Sequence, residues 1–156
     1  MSCHVMDAFV PGLVAFLLAH LCYIVAFREG LRAGRGLLAA SILLGAFAVL
    51  NVLGLWPHLP APMRMPVLAY VVVLASMAVL ALARQWRRPQ PDAVEARSAP
   101  WAAVGALLFV ASDSLLAWDR FAGGLPLASL LVLSTYYGAQ YAIARSVKQQ
   151  KGDGGD

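Results

Sequence analysis

Five stretches of this chain stay apolar for about as long as a helix needs to cross a bilayer: residues 9–27, 36–55, 66–83, 101–118 and 125–144. At about 1.5 Å rise per residue, roughly 20 residues cover the roughly 30 Å of hydrocarbon. Lipid offers backbone amides no water, so each segment must satisfy its hydrogen bonds internally, and an open sheet would leave its edges bare. The expected fold is therefore all-α: a polytopic membrane bundle of five transmembrane helices within residues 1–146, followed by a disordered tail at 147–156. Composition argues against a soluble alternative, because 61% of the 156 residues are hydrophobic and only 13% are charged. A water-soluble core of this size needs far less apolar side chain.

Orientation follows from the basic residues. Arg28, Arg32 and Arg35 follow the first stretch, Arg84, Arg87, Arg88 and Arg97 the third, and Arg145, Lys148 and Lys151 the fifth. Only Arg64 and Arg120 lie elsewhere, so ten of the twelve basic residues fall on one side when the spans alternate. The positive-inside bias then puts the N-terminus outside and the C-terminus in the cytoplasm, as expected of a multi-pass protein of the cell membrane. Trp56, Trp86, Trp101 and Trp118 sit at the predicted span ends, where an amphipathic ring settles among headgroups. Pro57, Pro60, Pro62 and Pro66 mark one connection, and Pro89, Pro91 and Pro100 another.

Several common readings lack support. The first stretch has no basic segment before it and is better read as a retained span than as a signal peptide. Cys3 and Cys22 do not resemble a disulfide framework. The net charge of +4 resides in the cytoplasmic connections, which suits anionic lipid headgroups and not nucleic acid. No Gly-rich phosphate loop and no Cys/His metal cluster appear, so neither cofactor nor metal is expected.

The polar groups inside the spans carry the functional signal. Asp113 lies between WAAVGALLFVAS and SLLAW, about 20 Å from the cytoplasmic end of its helix on the ideal rise, hence in the outer half of the membrane. An acid shielded from water is disfavoured as an anion and suited to donate a proton, and intramembrane acids are rare enough to suggest function. The structural alternative pairs it with Arg120 or a nearby amide. His20 and Tyr23, three apart, share a helix face near mid-membrane; interhelical packing and proton handling are both open to His20. Asn51 suits an interhelical hydrogen bond. Asp119 and Arg120 are interfacial, as a solvated ion pair or a phospholipid headgroup site. In the last span Tyr136 and Gln140 share one face, with Thr135 close by, and Tyr137 and Tyr141 share another; the face with Gln140 is expected to meet the bundle interior.

Three blocks in order, Gly12 to Phe27, Ser112 to Phe121 and Ser134 to Ile143, carry F-x-x-x-H-x-x-Y, S-D-S-L-L-A and Y-Y-x-A-Q. In this combination the chain resembles the YhhN-like lysoplasmalogenase family of integral membrane proteins. The resemblance implies an eight-span bundle that hydrolyses the vinyl ether bond of lysoplasmalogens to a fatty aldehyde and glycerophosphocholine or glycerophosphoethanolamine. The matching positions are His20, Tyr23, Asp113, Tyr136, Tyr137 and Gln140. The chain departs in having five spans. What is missing corresponds to the first three, which in the family end in a G-D-containing helix that supplies a second acid, and Asp7 lies too close to the first block to replace it. Such a protein with both ends cytoplasmic, shortened by three spans, starts outside and ends inside, as the charges indicate; a truncated gene product or a misplaced start codon is the expectation.

Enol ether hydrolysis begins with protonation of the carbon β to the ether oxygen, and water captures the resulting oxocarbenium-like cation. One carboxylic acid must donate and a carboxylate must stabilise the cation or activate water, as in glycoside hydrolysis. Asp113 is expected in one of those roles. His20, Tyr136 and Gln140 would orient water or the ether oxygen, Arg120 would meet the phosphate, and Tyr23, Tyr137, Asp119 and Asn51 would contact the lysophospholipid. The alternative is a non-catalytic or proton-coupled lipid-binding or transport bundle, against which stands the lack of an inverted repeat.

Overall fold

A computed structural model of the chain describes residues 14–15, 17–25, 34–86 and 94–151, without the side chains of 94–97 and 148–151. The expectations placed on Cys3, Asp7, Arg28, Arg32, Arg87, Arg88, Pro89, Pro91 and residues 152–156 lie outside them. The described residues are helical apart from residue 34 and the short connections at 59–60 and 124–127, and no strand occurs among them. Helix α1 covers the described part of residues 14–25, followed by α2 (Arg35–Leu55), α3 (Ala61–Trp86), α4 (Val94–Trp118) and α5 (Ala128–Lys151).

The helices run up and down. At one end Trp118 reaches Asn51 and His58, and at the other Gly36 abuts Trp86, so α2, α3 and α4 alternate in direction. Helix α5 lies antiparallel along α4, held by a Ser112 Oγ–H bond to the Val132 carbonyl (3.1 Å) and by Gly105 against Ile143. Ala102, Ala103 and Ala106 of α4 and Ala139 and Ala142 of α5 are all buried. Small residues are what this interface requires, because hydrocarbon is as apolar as any side chain and helices gain by close van der Waals approach instead. The outward faces carry the large aliphatics: Leu50 is 69% exposed, and Leu38, Ile42, Leu53 and Val72 are exposed with it. In water such a surface would aggregate, and in lipid it is solvated.

Three segments, Arg35–His58, Ala61–Trp86 and Ser98–Gly123, are long and apolar enough to cross a membrane. Three boundaries differ from expectation. Helices α3 and α4 begin five and more residues before their predicted starts, so that Pro66 and Pro100 sit inside them and not in the connections. Each lies beyond the four N–H groups that a helix start leaves without partners, so each helix forgoes one bond to the carbonyl four residues back. Helix α5 continues through Lys151, so residues 147–151, expected in the tail, are helical. Lys and Gln are good helix formers and need no burial to extend an existing helix.

Between α4 and α5 the chain makes a π-helical turn, Asp119–Gly123. It ends where Gly123 (φ 97°) and Gly124 (φ 24°) adopt left-handed backbone, and the Asp119 carboxylate accepts the Leu125 amide at 3.0 Å. Asp119 therefore closes this corner.

Candidate active site

Asp113 sits on α4 opposite α3, and its Oδ2 accepts a hydrogen bond from the Tyr70 hydroxyl at 2.6 Å. This is a short bond of the kind made to an acid or its anion. Both residues line a cavity of about 320 Å³ bounded by α2, α3, α4 and the π-helical turn. Its wall is aliphatic and aromatic, with Asn51, Tyr70, Asp113, Ser114 and Arg120 as its polar points. Arg120, in the π-helical turn that follows α4, lines the same cavity, about 10 Å beyond Asp113 on the helical rise. A pocket with a few convergent polar groups on an apolar wall is the usual form of a small-molecule site.

Behind this wall lies an aromatic cluster. His20 (1% exposed) meets the ring edges of Tyr70, Phe109 and Tyr23 at 5.7, 5.4 and 6.2 Å between centroids. Phe109, also 1% exposed, is the hub: it stands one turn below Asp113 on α4 and touches Tyr23 from α1 and Tyr136 from α5. Gln140 donates to the Tyr136 hydroxyl at 3.1 Å. Edge-to-face rings of this sort fix geometry at a gain of about 0.5–1.5 kcal/mol each beyond area burial.

Of the residues singled out in the sequence, Asp113, Arg120 and Asn51 line the cavity. His20, Tyr23, Tyr136 and Gln140 gather around Phe109 and are not among its lining residues. Asn51 accepts the Trp118 indole N–H at 3.0 Å, an interhelical bond that seats the tryptophan at the end of α4. Asp119 serves the corner described above. Tyr137 touches Tyr136 but is 65% exposed on the outer side of α5, and Tyr141 accepts a hydrogen bond from Arg145 at 2.8 Å. Among the described residues no group of three or more His, Cys, Asp or Glu side chains converges on a metal-sized site. Tyr70 was not singled out. It lies in the run VLAYVVVLAS with no polar neighbour at helical spacing, and its partner is 43 positions away.

Lipid-compatible outer faces around an interior acid define a helical membrane protein, with an acid-bearing apolar chamber as its candidate site. The chain belongs to the YhhN family, whose model matches residues 3–147. It is similar to lysoplasmalogenase TMEM86B of Sus scrofa, 41% identical over 143 residues that cover 92% of this chain and 55% of that protein. It is also similar to a lysoplasmalogenase of Mycobacterium bovis (36% identical; 87% of this chain, 49% of that protein) and to lysoplasmalogenase TMEM86A of Bos taurus (32%; 92% and 57%). The chain thus spans about half the length of the curated relatives it matches. No solved structure matches it.

Proposed function

We propose that this chain carries lysoplasmalogenase chemistry: hydrolysis of the vinyl ether bond of a lysoplasmalogen to a fatty aldehyde and glycerophosphocholine or glycerophosphoethanolamine. The observation that carries the reading is the Asp113 carboxyl group on the wall of an apolar chamber, and the relatives named lysoplasmalogenase support it. A vinyl ether yields to acid, and the step it needs is a proton at the β carbon. In the proposed reaction Asp113 gives its proton to that carbon, and the π electron pair becomes the new C–H bond. Water adds to the oxocarbenium carbon and loses a proton to the carboxylate, and the hemiacetal collapses to aldehyde and glycerol hydroxyl. One water is consumed and no electrons change hands. A proton donor held beside its target contributes about 10²- to 10⁴-fold.

The roughly 10 Å between Asp113 and Arg120 on the helical rise is comparable with the glycerol unit separating vinyl ether from phosphate, which supports Arg120 as the phosphate contact. His20, Tyr136 and Gln140 would hold the wall behind the acid. The test is aldehyde release from a lysoplasmalogen by the purified chain in lipid nanodiscs; release no faster than from empty nanodiscs counts against the reading. Replacing Arg120 with Gln is expected to raise KM roughly tenfold, the equivalent of about 1.4 kcal/mol lost from a charge-assisted bond, with kcat little changed.

The proposed setting is a five-span protein of the cell membrane, N-terminus outside and C-terminus cytoplasmic, with membrane lipids around it. In a background with Cys3 and Cys22 changed to Ser, a cysteine at Leu127 should react with a membrane-impermeant maleimide in intact cells. A cysteine at Gln85 should react only after permeabilisation, and the opposite pattern would reverse the orientation.

A further inference from the structure

Tyr70, which lies outside the motifs, hydrogen-bonds the candidate acid directly. Its hydroxyl is 2.6 Å from Asp113 Oδ2, its ring is wedged edge-on against buried His20, and both it and Asp113 face the cavity. A neutral carboxylic acid has two unlike oxygens: the carbonyl oxygen accepts hydrogen bonds well, the hydroxyl oxygen poorly. A phenol that donates to Oδ2 therefore favours the form in which the acid proton is on Oδ1. We propose that Tyr70 is a positioning residue that keeps the transferable proton of Asp113 on Oδ1 and holds the carboxyl plane against the cavity. This deepens the hydrolase reading and rests on it for the step that follows. When Oδ1–H protonates the β carbon, its bonding pair stays on the carboxylate. The Tyr70 hydroxyl keeps its own proton and continues to donate to Oδ2 of the anion, so it serves both states without exchanging a proton. Its ring is held from turning by His20 on α1, which gives that buried histidine a part in the site without contact to the lipid.

The variant Tyr70→Phe removes the hydroxyl alone and leaves the ring packed on His20, so the fold should persist, as an unchanged melting midpoint would verify. In nanodiscs with lysoplasmalogen, kcat should fall about 10- to 100-fold, in the range seen when a reacting group is misplaced by about 1 Å, with KM within about twofold. In the Asp113→Asn background the same change should cost nothing further. Infrared spectroscopy supplies a readout that needs no turnover. The C=O stretch of the protonated acid, identified by its loss in Asp113→Asn, should move to higher wavenumber in Tyr70→Phe, because a carbonyl relieved of a donor stiffens. A kcat within about twofold of wild type, an unmoved band, or no band attributable to Asp113 would each overturn the proposal. If the wild-type chain releases no aldehyde, it is the hydrolase reading that fails, and the infrared band alone decides whether Tyr70 orders the Asp113 proton.

Discussion

Asp113→Asn is expected to lower aldehyde release from a lysoplasmalogen at least about a hundredfold, the lower end of what a positioned general acid contributes. The substitution is close to isosteric, and its amide oxygen can still accept the Tyr70 hydroxyl that Oδ2 accepts now. Packing around Phe109 should therefore survive, and a near-normal melting midpoint would show that lost rate is lost chemistry. An amide has no proton acidic enough for the β carbon, and without that transfer the oxocarbenium-like cation does not form. Binding should persist, because the apolar wall and Arg120 are untouched. The measurement is steady-state aldehyde release beside equilibrium binding of a saturated ether lysolipid, which has no double bond to protonate. Turnover within about tenfold of wild type would remove Asp113 from the role of acid.

The largest structural effect is expected at Gly105. A β carbon there would stand 2.6 Å from Ile143 Cγ1, 3.1 Å from the Ala139 carbonyl oxygen and 3.2 Å from the Ile143 nitrogen. The first atom is not the free end of a flexible chain and the other two are backbone, so α4 and α5 would have to part. Gly105→Ala gains up to about 1 kcal/mol of helix propensity, yet overpacking of a tight seam costs about 1–3 kcal/mol, so the clash should win. Gly105→Leu should separate the pair and take Tyr136 and Gln140 away from Phe109. Gly45 offers the control, since nothing lies within 4 Å of its added carbon. Gly45→Ala should leave the thermal midpoint in detergent unchanged or raise it, while Gly105→Ala lowers it; equal behaviour would mean the α4–α5 seam is looser than described.

Much of the architecture was legible in the apolar stretches, since α2 through α5 fall where residues 36–55, 66–83, 101–118 and 125–144 put them. The helix starts were less legible. Pro66 and Pro100 read as connection punctuation, yet both sit inside helices that continue past them at the loss of one intrahelical bond each. Spacing within one helix also carried through, because it depends on local geometry: His20 meets Tyr23, and Gln140 bonds Tyr136. The candidate site divides along the same line. Asp113 was conspicuous as a charge among aliphatics. Tyr70 was not, because a tyrosine in a membrane helix is unremarkable until its hydroxyl is seen beside a carboxyl group on another helix.

Chain length, apolarity and the scarcity of ionisable groups were enough to dictate a helical protein made for lipid, because hydrocarbon leaves the backbone no other way to satisfy its hydrogen bonds. Which helix faces which, and at what height, could not be read that way. In an apolar medium the outward and inward faces are nearly alike in hydrophobicity, so contact and register are set by small residues that permit close approach and by a few interhelical hydrogen bonds. Those assembled contacts, Gly105 on Ile143, Asn51 on Trp118 and Tyr70 on Asp113, are what open the chamber beside the acid and choose its neighbours.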